Sequence, residues 1–408
     1  MILAGKTIVL GLCGGIAAYK VIEVARQLTV AGATVDTVMT EDAPRFVTPL
    51  TLQTLTHRPV LSDTFRLLET MEIPYVSLGQ RADAMLVAPA TANTLAKMAQ
   101  GQADNLLLAT YLATTAPVVV APAMDAHVWQ HPATQANTET LRQRGAIFVG
   151  PDYGPLVSGL LGSGRLAAAH EIIGTLRQVL GREGPLAGRH VLVTAGGTRE
   201  PLDPVRYLGN RSSGKMGYAL AQAALDRGAS VTLVTAPTAL QPPVGAHVEE
   251  VETAQEMRDA ALDALAETDA LLMAAAVADF RPARYSPHKI KKGGQATLAV
   301  TLERNPDILM DVVRRRLEGA GPLVVAGFVV ETEDTIARAR EKLLAKGLDL
   351  VVANDVSAPD SGLEADTLRA TLLGADSTVE ALPLMGKDKL AEHVLDRVVA
   401  MLDAGRDA

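Results

Sequence analysis

Between Val191 and Gly217 the chain reads VLVTAGGTREPLDPVRYLGNRSSGKMG, a stretch that gathers what a phosphate-bearing ligand needs. Val191 to Thr194 reads as a buried strand, Gly196 and Gly197 turn the chain, and Arg206, Asn210, Arg211 and Lys215 crowd into the next turns. Backbone N–H groups left open by a glycine turn, together with the N-terminus of a following helix, can cradle phosphate oxygens. A turn that only reverses the chain would account for the glycine pair but not for four polar or basic side chains beside it. Two named motifs are excluded. Gly209 to Lys215 spells G-x-x-x-x-G-K, but Met216 stands where a P-loop needs a magnesium-binding hydroxyl. No G-x-G-x-x-G occurs in the stretch, so the dinucleotide fingerprint fails as well.

Further along, Lys289, Lys291 and Lys292 fall in a segment flanked by proline and glycine, able to close over a triphosphate as a loop. Asp279 follows the expected strand Ala270 to Ala274, where a carboxylate meets a ribose hydroxyl or a magnesium ion; capping a helix is the competing role. The first half has its own set. Gly11, Gly14 and Gly15 form an expected turn after a strand, and Thr40, Thr91, Asn93 and Asp125 each follow another apolar run.

The elements that must position these groups alternate. Expected strands are Thr7 to Leu10, Thr34 to Met39, Ala84 to Ala88 and Val118 to Ala121, with an amphipathic helix over Ile16 to Leu28. Pro151 to Leu166, with four glycines, reads as a long loop or flap; helix His170 to Leu180 follows, and residues 181–188 form a linker. In the second half strands are expected at Val191 to Thr194, Val231 to Thr235, His247 to Val251, Ala270 to Ala274, Val324 to Phe328 and Asp349 to Ala353. Helix Gly217 to Arg227 lies between the first two, and a hairpin covers Leu368 to Leu373 and Val379 to Leu382. This pattern predicts an α/β chain of two doubly wound Rossmann-like domains, residues 1–180 and 189–408, with ligands beyond the carboxyl ends of the strands.

Composition agrees with that class. At 408 residues the chain is long enough for two cores, and 48% apolar with only 3% aromatic residues suits parallel sheets covered on both faces. A net charge of −8 argues against general nucleic-acid binding. The single cysteine, Cys13, excludes an internal disulfide and fits a cytoplasmic protein. The apolar N-terminus is too short, and too soon broken by Gly14 and Gly15, to read as a signal peptide or membrane span.

Six motifs in order, TAGGTREPLDPVR, NRSSGKMG, AAAVADF, KIKK, NPDI and ANDVS, identify a resemblance. The chain resembles, over nearly its whole length, the bifunctional phosphopantothenoylcysteine decarboxylase/phosphopantothenate–cysteine ligase family of coenzyme A biosynthesis. The resemblance implies that the second domain joins 4′-phosphopantothenate to L-cysteine with CTP and Mg²⁺, through an acyl-cytidylate. It implies a nucleotide site at Gly196, Ala275, Ala276, Asp279, Asn305, Pro306, Asp307, Ile308, Phe328, Lys342 and Lys346, with Asp279 also the candidate metal ligand. It further implies substrate contacts at Arg206, Asn354 and Asp355, and catalytic roles for Asn210, as a donor to the developing oxyanion, and Lys289. One departure, Val329-Val330 where the family commonly has two alanines, adds bulk without polarity and implies repacking.

The first domain is similar to the family's flavodoxin-like decarboxylase, which implies FMN held by Gly14, Gly15, Ile16, Thr40, Thr91 and Asn93. Cys13 stands where a serine is usual. Three catalytic positions differ: Tyr75 replaces a histidine, Asp125 an asparagine and Ser158 a cysteine. Tyrosine, with a pKa near 10, is a poor base. Asp125 would repel a substrate carboxylate, and serine is too weak an acid to replace a thiol. The expectation is a ligase with a silent decarboxylase half. A fully bifunctional enzyme and a non-catalytic flavin-binding regulatory protein are the alternatives. The resemblance also implies homo-oligomers, ligase dimers joined to decarboxylase trimers in a dodecamer.

Overall fold

The computed structural model describes residues 2–64, 72–291, 296–331, 334–355 and 365–404. It divides into two compact units, Met1–Gly181 and Arg182–Ala408.

In the first unit, β1 (Thr7–Leu12), β2 (Thr34–Met39), β3 (Ala84–Ala90), β4 (Val118–Pro122) and β5 (Ile147–Phe148) form a parallel sheet in the order β2-β1-β3-β4-β5. Its helices are α1 (Ala18–Val30), α2 (Pro49–Thr56), α3 (Pro74–Arg81), α4 (Ala92–Gln100), α5 (Leu106–Ala113), α6 (Ala126–Gln130), α7 (Pro132–Gln143) and α8 (Ala169–Gly181). Both faces of the sheet are covered, which is why the strands are continuously apolar rather than alternating. Ile8, Leu10 and Leu12 face one core with residues of α1 and α8, while Val9 faces the other with Leu78, Leu95 and Leu106. The sheet order reverses beside β1, so a crevice opens at the carboxyl ends of β1 and β3.

Two expectations for this unit are corrected. Gly11 belongs to β1 and not to the turn; a Cβ there would lie 2.7 Å from Leu107 Cδ1, so glycine lets α5 approach the sheet. The expected loop after Pro151 is an antiparallel hairpin, β6 (Asp152–Pro155) with β7 (Leu161–Arg165). Two of its glycines serve close packing. A Cβ on Gly164 would meet the Met124 carbonyl oxygen, and one on Gly162 would lie 2.7 Å from Ala126 Cβ.

The second unit runs β8 (His190–Ala195), β9 (Arg199–Pro201), β10 (Tyr207–Gly209), α9 (Lys215–Leu225), β11 (Ser230–Thr235), β12 (His247–Glu250), α10 (Ala254–Asp263), β13 (Ala270–Met273), β14 (Phe280–Pro282), β15 (Leu302–Arg304), α11 (Ile308–Leu317), β16 (Val324–Glu331), α12 (Thr335–Ala345), β17 (Leu350–Asp355), β18 (Thr367–Leu368), β19 (Ala370–Gly374), β20 (Val379–Ala381), β21 (Met385–Gly386) and α13 (Lys387–Ala404). Eight strands make one sheet in the order β12-β11-β8-β13-β16-β17-β19-β20. The first six are parallel; β19 pairs antiparallel with β17 and with β20, so the expected C-terminal hairpin extends the main sheet. Val191 and Val193 pack with α9 and α13 on one face, Leu192 with α10, α11 and α12 on the other. Helix α13 buries Leu390, Val394, Leu395, Val398 and Leu402 at helical spacing, each contributing on the order of 2 kcal/mol of apolar burial. The sheet reverses order between β8 and β13, and its crevice opens there. Among the described residues no helix is long and apolar enough to cross a membrane.

Candidate functional site

The crevice of the second unit is a cleft of about 770 Å³ lined by the loops that follow β10, β13 and β15, by the end of β16 and by residues of α12. The loops beyond β8 and β13 are stitched together. The Ala276 N–H donates to the Gly196 carbonyl at 2.8 Å, the Ala278 N–H to Thr198 Oγ1 at 2.9 Å, and the Ala275 N–H to Thr194 Oγ1 at 3.2 Å. Gly196 has φ +80° and a Cβ there would lie 2.8 Å from the Ala236 carbonyl oxygen, so this turn requires glycine. Gly196 therefore shapes the wall and does not line the cleft.

Ala275, Ala276, Asp279, Asn210, Asn305 to Ile308, Phe328, Lys342, Lys346 and Asn354 all line this one cleft. Asn210 donates one Nδ2 hydrogen to the Val277 carbonyl at 2.9 Å, which fixes the amide and leaves its second N–H for a ligand. Asp279 is exposed and precedes β14, not a helix, so the capping alternative falls away. Asn305 braces the wall: Nδ2 donates to the Ala278 carbonyl at 2.7 Å, and its N–H to the Asp279 carbonyl at 2.9 Å. Ile308 is buried in the core and offers the cleft only backbone, at the N-terminus of α11, where Asp307 accepts the Met310 N–H. That helix end and the ammonium of Lys346, 2.9 Å from Asp307, make one wall favourable to anions. Val329 is buried and Val330 lines the cleft, so the two valines occupy space on its inner wall.

Lys289 and Arg206, like Gly196, stand outside the lining. Lys289 is exposed. The Arg206 guanidinium lies 2.6 Å from Asp203. Asp355 ends β17, but its side chain, like Lys292 and the Val356-Ser357 part of ANDVS, lies outside the described residues. Sequence reasoning missed Lys387, which lines the cleft at the start of α13; burial, then the neighbouring Lys215 charge, pulls its ammonium below the usual lysine range, opposed by Asp366. The helical period of α13 was its available signal. Among the described residues no three His, Cys, Asp or Glu side chains converge on a metal position. Magnesium, which takes most of its oxygens from phosphates and water, needs only a carboxylate such as Asp279.

In the first unit the Gly14 N–H donates to Thr40 Oγ1 at 3.2 Å, and a Cβ on Gly14 would lie 2.5 Å from Asp42 Cβ. Thr91 caps α4 by accepting the Thr94 N–H, and its methyl lies 3.8 Å from where a Gly15 Cβ would stand. Ile16 and Asn93 are exposed. The N-terminus of α1 has no side-chain cap and no acidic residue in its first turn, an arrangement suited to an anion. Cys13 does not face that turn. Burial pushes its thiol up to about 11, against hydrogen bonds with Thr94 and the Thr91 backbone.

The family description "DNA/pantothenate metabolism flavoprotein C-terminal domain" matches residues 186–402, and "Flavoprotein" matches residues 3–181. The coenzyme A biosynthesis bifunctional protein CoaBC of Mycobacterium bovis is 46% identical over 408 residues, covering 97% of each chain. That of Bacillus subtilis is 42% identical over 404 residues, covering 98% of each. The chain belongs to the CoaBC family. It therefore carries a decarboxylase-type and a ligase-type domain of coenzyme A biosynthesis. A crystal structure of the C-terminal domain of a CoaBC protein is 36% identical and covers 54% of this chain and 99% of that one, with a TM-score of 0.46.

Two of the three first-domain positions singled out in the sequence, Asp125 and Ser158, meet. Ser158, at the tip of the β6–β7 hairpin, donates its hydroxyl to Asp125 Oδ2 at 2.6 Å, while Asp125 Oδ1 accepts the His127 N–H at 3.0 Å and caps α6. The Ser158 hydroxyl, then the His127 N–H, holds the Asp125 carboxyl below the ordinary carboxylate range, so it is an anion at neutral pH. Tyr75, in the first turn of α3, packs part-buried against the Val9 and Leu78 cluster.

Proposed function

We propose that this CoaBC chain ligates 4′-phosphopantothenate to L-cysteine with CTP and that its flavin-type half does not decarboxylate the product. The observation carrying the ligase reading is the single cleft at the switch point of the second sheet, which brings Asn210, Asp279, the α11 N-terminus, Lys342 and Lys346 together. The substrate carboxylate attacks the α-phosphorus of CTP and pyrophosphate leaves with the electrons of the broken P–O bond. The cysteine amine then attacks the acyl carbon, the C–O bond to CMP breaks, and the amine's proton passes to solvent.

The α11 N-terminus with Lys342 and Lys346 receives the triphosphate, and closure of its loop brings Lys289 onto the transferring phosphoryl group. The second N–H of Asn210 serves the oxyanion that forms at the acyl carbon. Magnesium, bound through Asp279 and phosphate oxygens, would supply charge neutralisation.

In the first unit the crowded Gly14, the Thr40 hydroxyl and the uncapped α1 fit the phosphate of FMN, with Gly15, Ile16, Thr91 and Asn93 around it. FMN would supply the two-electron oxidation that precedes decarboxylation. On this reading the residues that must follow it are replaced: Asp125 presents a charge where a carboxylate should be received, Ser158 is tied to it, and Tyr75 stands where the family has a histidine. The half then serves flavin binding and assembly, as trimers joined to ligase dimers in a dodecamer. Purified protein incubated with CTP, magnesium, 4′-phosphopantothenate and cysteine should release pyrophosphate only when both acceptor and amine are present. Supplied with 4′-phospho-N-pantothenoylcysteine, it should release no CO₂. Release at enzymatic rates would overturn the second half of the proposal.

A further inference from the structure

The turn between β9 and β10 holds a carboxylate whose side chain has no solvent exposure, Asp203. Its Oδ1 accepts the N–H groups of Val205 and Arg206, each at 2.9 Å. Its Oδ2 accepts Arg206 Nε at 3.0 Å, Arg206 Nη2 at 2.6 Å, and the N–H of Ile290 at 3.1 Å. Arg206 Nη2 in turn donates to the Ile290 carbonyl at 2.7 Å. Both backbone groups of one residue are thus taken by an ion pair more than eighty positions earlier. The approach to Ile290 is fixed from the same turn, because the Ser286 N–H donates to the Leu202 carbonyl at 3.0 Å and the Ser286 hydroxyl to the His288 carbonyl at 2.6 Å.

Oδ1, together with the Leu202 and Asp203 N–H groups that donate to the Arg206 carbonyl at 2.9 and 3.2 Å, closes the turn, so holding the second oxygen, fully desolvated, against a distant segment is more than the turn requires. Ile290 is flanked by Lys289 and Lys291, both exposed. Burial raises the Asp203 carboxyl, but Arg206 and the three N–H groups outweigh it and hold it well below the usual range, so it stays charged throughout neutral pH.

We propose that Asp203 and Arg206 are positioning residues whose ion pair grips Ile290 and sets the pivot from which Lys289 and Lys291 are presented to the triphosphate. This rests on the ligase reading of Lys289, and it replaces direct substrate contact as the role of Arg206 within one chain. Holding Ile290 reduces the entropy that Lys289 and Lys291 lose on meeting the nucleotide, so the grip acts on turnover with the nucleotide and not on the site for cysteine.

Two variants test this in the full-length protein. Asp203→Asn keeps an oxygen for the Val205 and Arg206 N–H groups but sets an amide N–H₂ against Arg206 and Ile290. Ile290→Pro deletes the gripped N–H and leaves the turn intact, while its ring also biases Lys289 to extended backbone, so its kcat is read beside that of Asp203→Asn, which leaves the Lys289 backbone free. In both, tryptic cleavage after Lys291 should become at least fivefold faster, kcat for CTP-dependent pyrophosphate release should fall about tenfold, and KM for cysteine should stay within twofold. Wild-type cleavage rates in both variants would overturn the grip. Faster cleavage with unchanged kcat would overturn the positioning role. Absence of pyrophosphate release from the wild type would refute the ligase reading instead, and the tryptic comparison would still judge the grip.

Discussion

Replacing Lys346 by alanine should weaken CTP selectively. The ammonium lies 2.9 and 3.1 Å from the two Asp307 oxygens, in a cleft wall that also ends α11. A unit charge ~4 Å from a phosphate oxygen at an effective dielectric of ~20 is worth about 4 kcal/mol. The lysine side chain is 28% exposed and the cleft opens to solvent, so about half of that survives, on the order of 2 kcal/mol or 30-fold. Removing the lysine also leaves Asp307 unpaired and facing the same phosphates. Asp307→Asn keeps a competent helix cap, since asparagine caps as well as aspartate. The double variant Asp307→Asn with Lys346→Ala should therefore recover part of the loss, to about tenfold. The assay is initial-rate pyrophosphate release with CTP varied at saturating phosphopantothenate and cysteine. Lys346→Ala should raise KM for CTP about 30-fold with kcat changed less than threefold. A KM within twofold of wild type, or an equal rise in KM for cysteine, would refute the placement of the triphosphate on the α11 wall.

Three further outcomes follow from local geometry. Gly217→Ala would set a Cβ 2.5 Å from Ala195 Cβ and 2.8 Å from the Thr194 carbonyl oxygen; overpacking of ~1–3 kcal/mol should lower Tm by several degrees in calorimetry, and an unchanged Tm would show that α9 shifts freely on β8. Ser158→Ala removes the main cause that holds the Asp125 carboxyl low. A depressed carboxyl contributes stability above its unfolded pKa and loses it as pH falls through the folded one, so the Tm difference between wild type and variant should be constant from pH ~5 to 8, shrink as pH falls below ~4 and vanish only below the depressed pKa of the folded carboxyl; a difference that grows in acid would contradict the hydrogen bond. Cys13, raised to about 11 mainly by burial, should resist a thiol reagent at pH ~8 in the native protein and react on unfolding, as mass spectrometry would show.

The strand–turn–helix units were legible because parallel strands buried on both faces are continuous apolar runs, as in Val191 to Thr194 and Val118 to Ala121. The helix α13 was equally periodic, with Leu390, Val394, Val398 and Leu402 in step, yet no motif drew attention to it. The hairpin β6–β7 was less accessible, because two of its glycines serve packing against Met124 and Ala126, contacts that local composition does not announce. Most cleft residues were legible through motif order, since TAGG, AAAVADF and ANDVS stand at the carboxyl ends of the parallel strands β8, β13 and β17, which lie on one side of the sheet. What could not be read were contacts across long separations. Asp203 looks like a turn residue until Ile290 is seen on it, and the Asp125–Ser158 hydrogen bond joins residues 33 positions apart. Lys289 shows the converse: its motif was plain, but its place outside the cleft lining is not something spacing describes.

The most direct test is a product analysis by mass spectrometry after purified protein turns over CTP, 4′-phosphopantothenate and cysteine. The account predicts stoichiometric CMP and pyrophosphate with 4′-phospho-N-pantothenoylcysteine accumulating as the final species. Phosphopantetheine in its place, or no acyl-cysteine product at all, would contradict it.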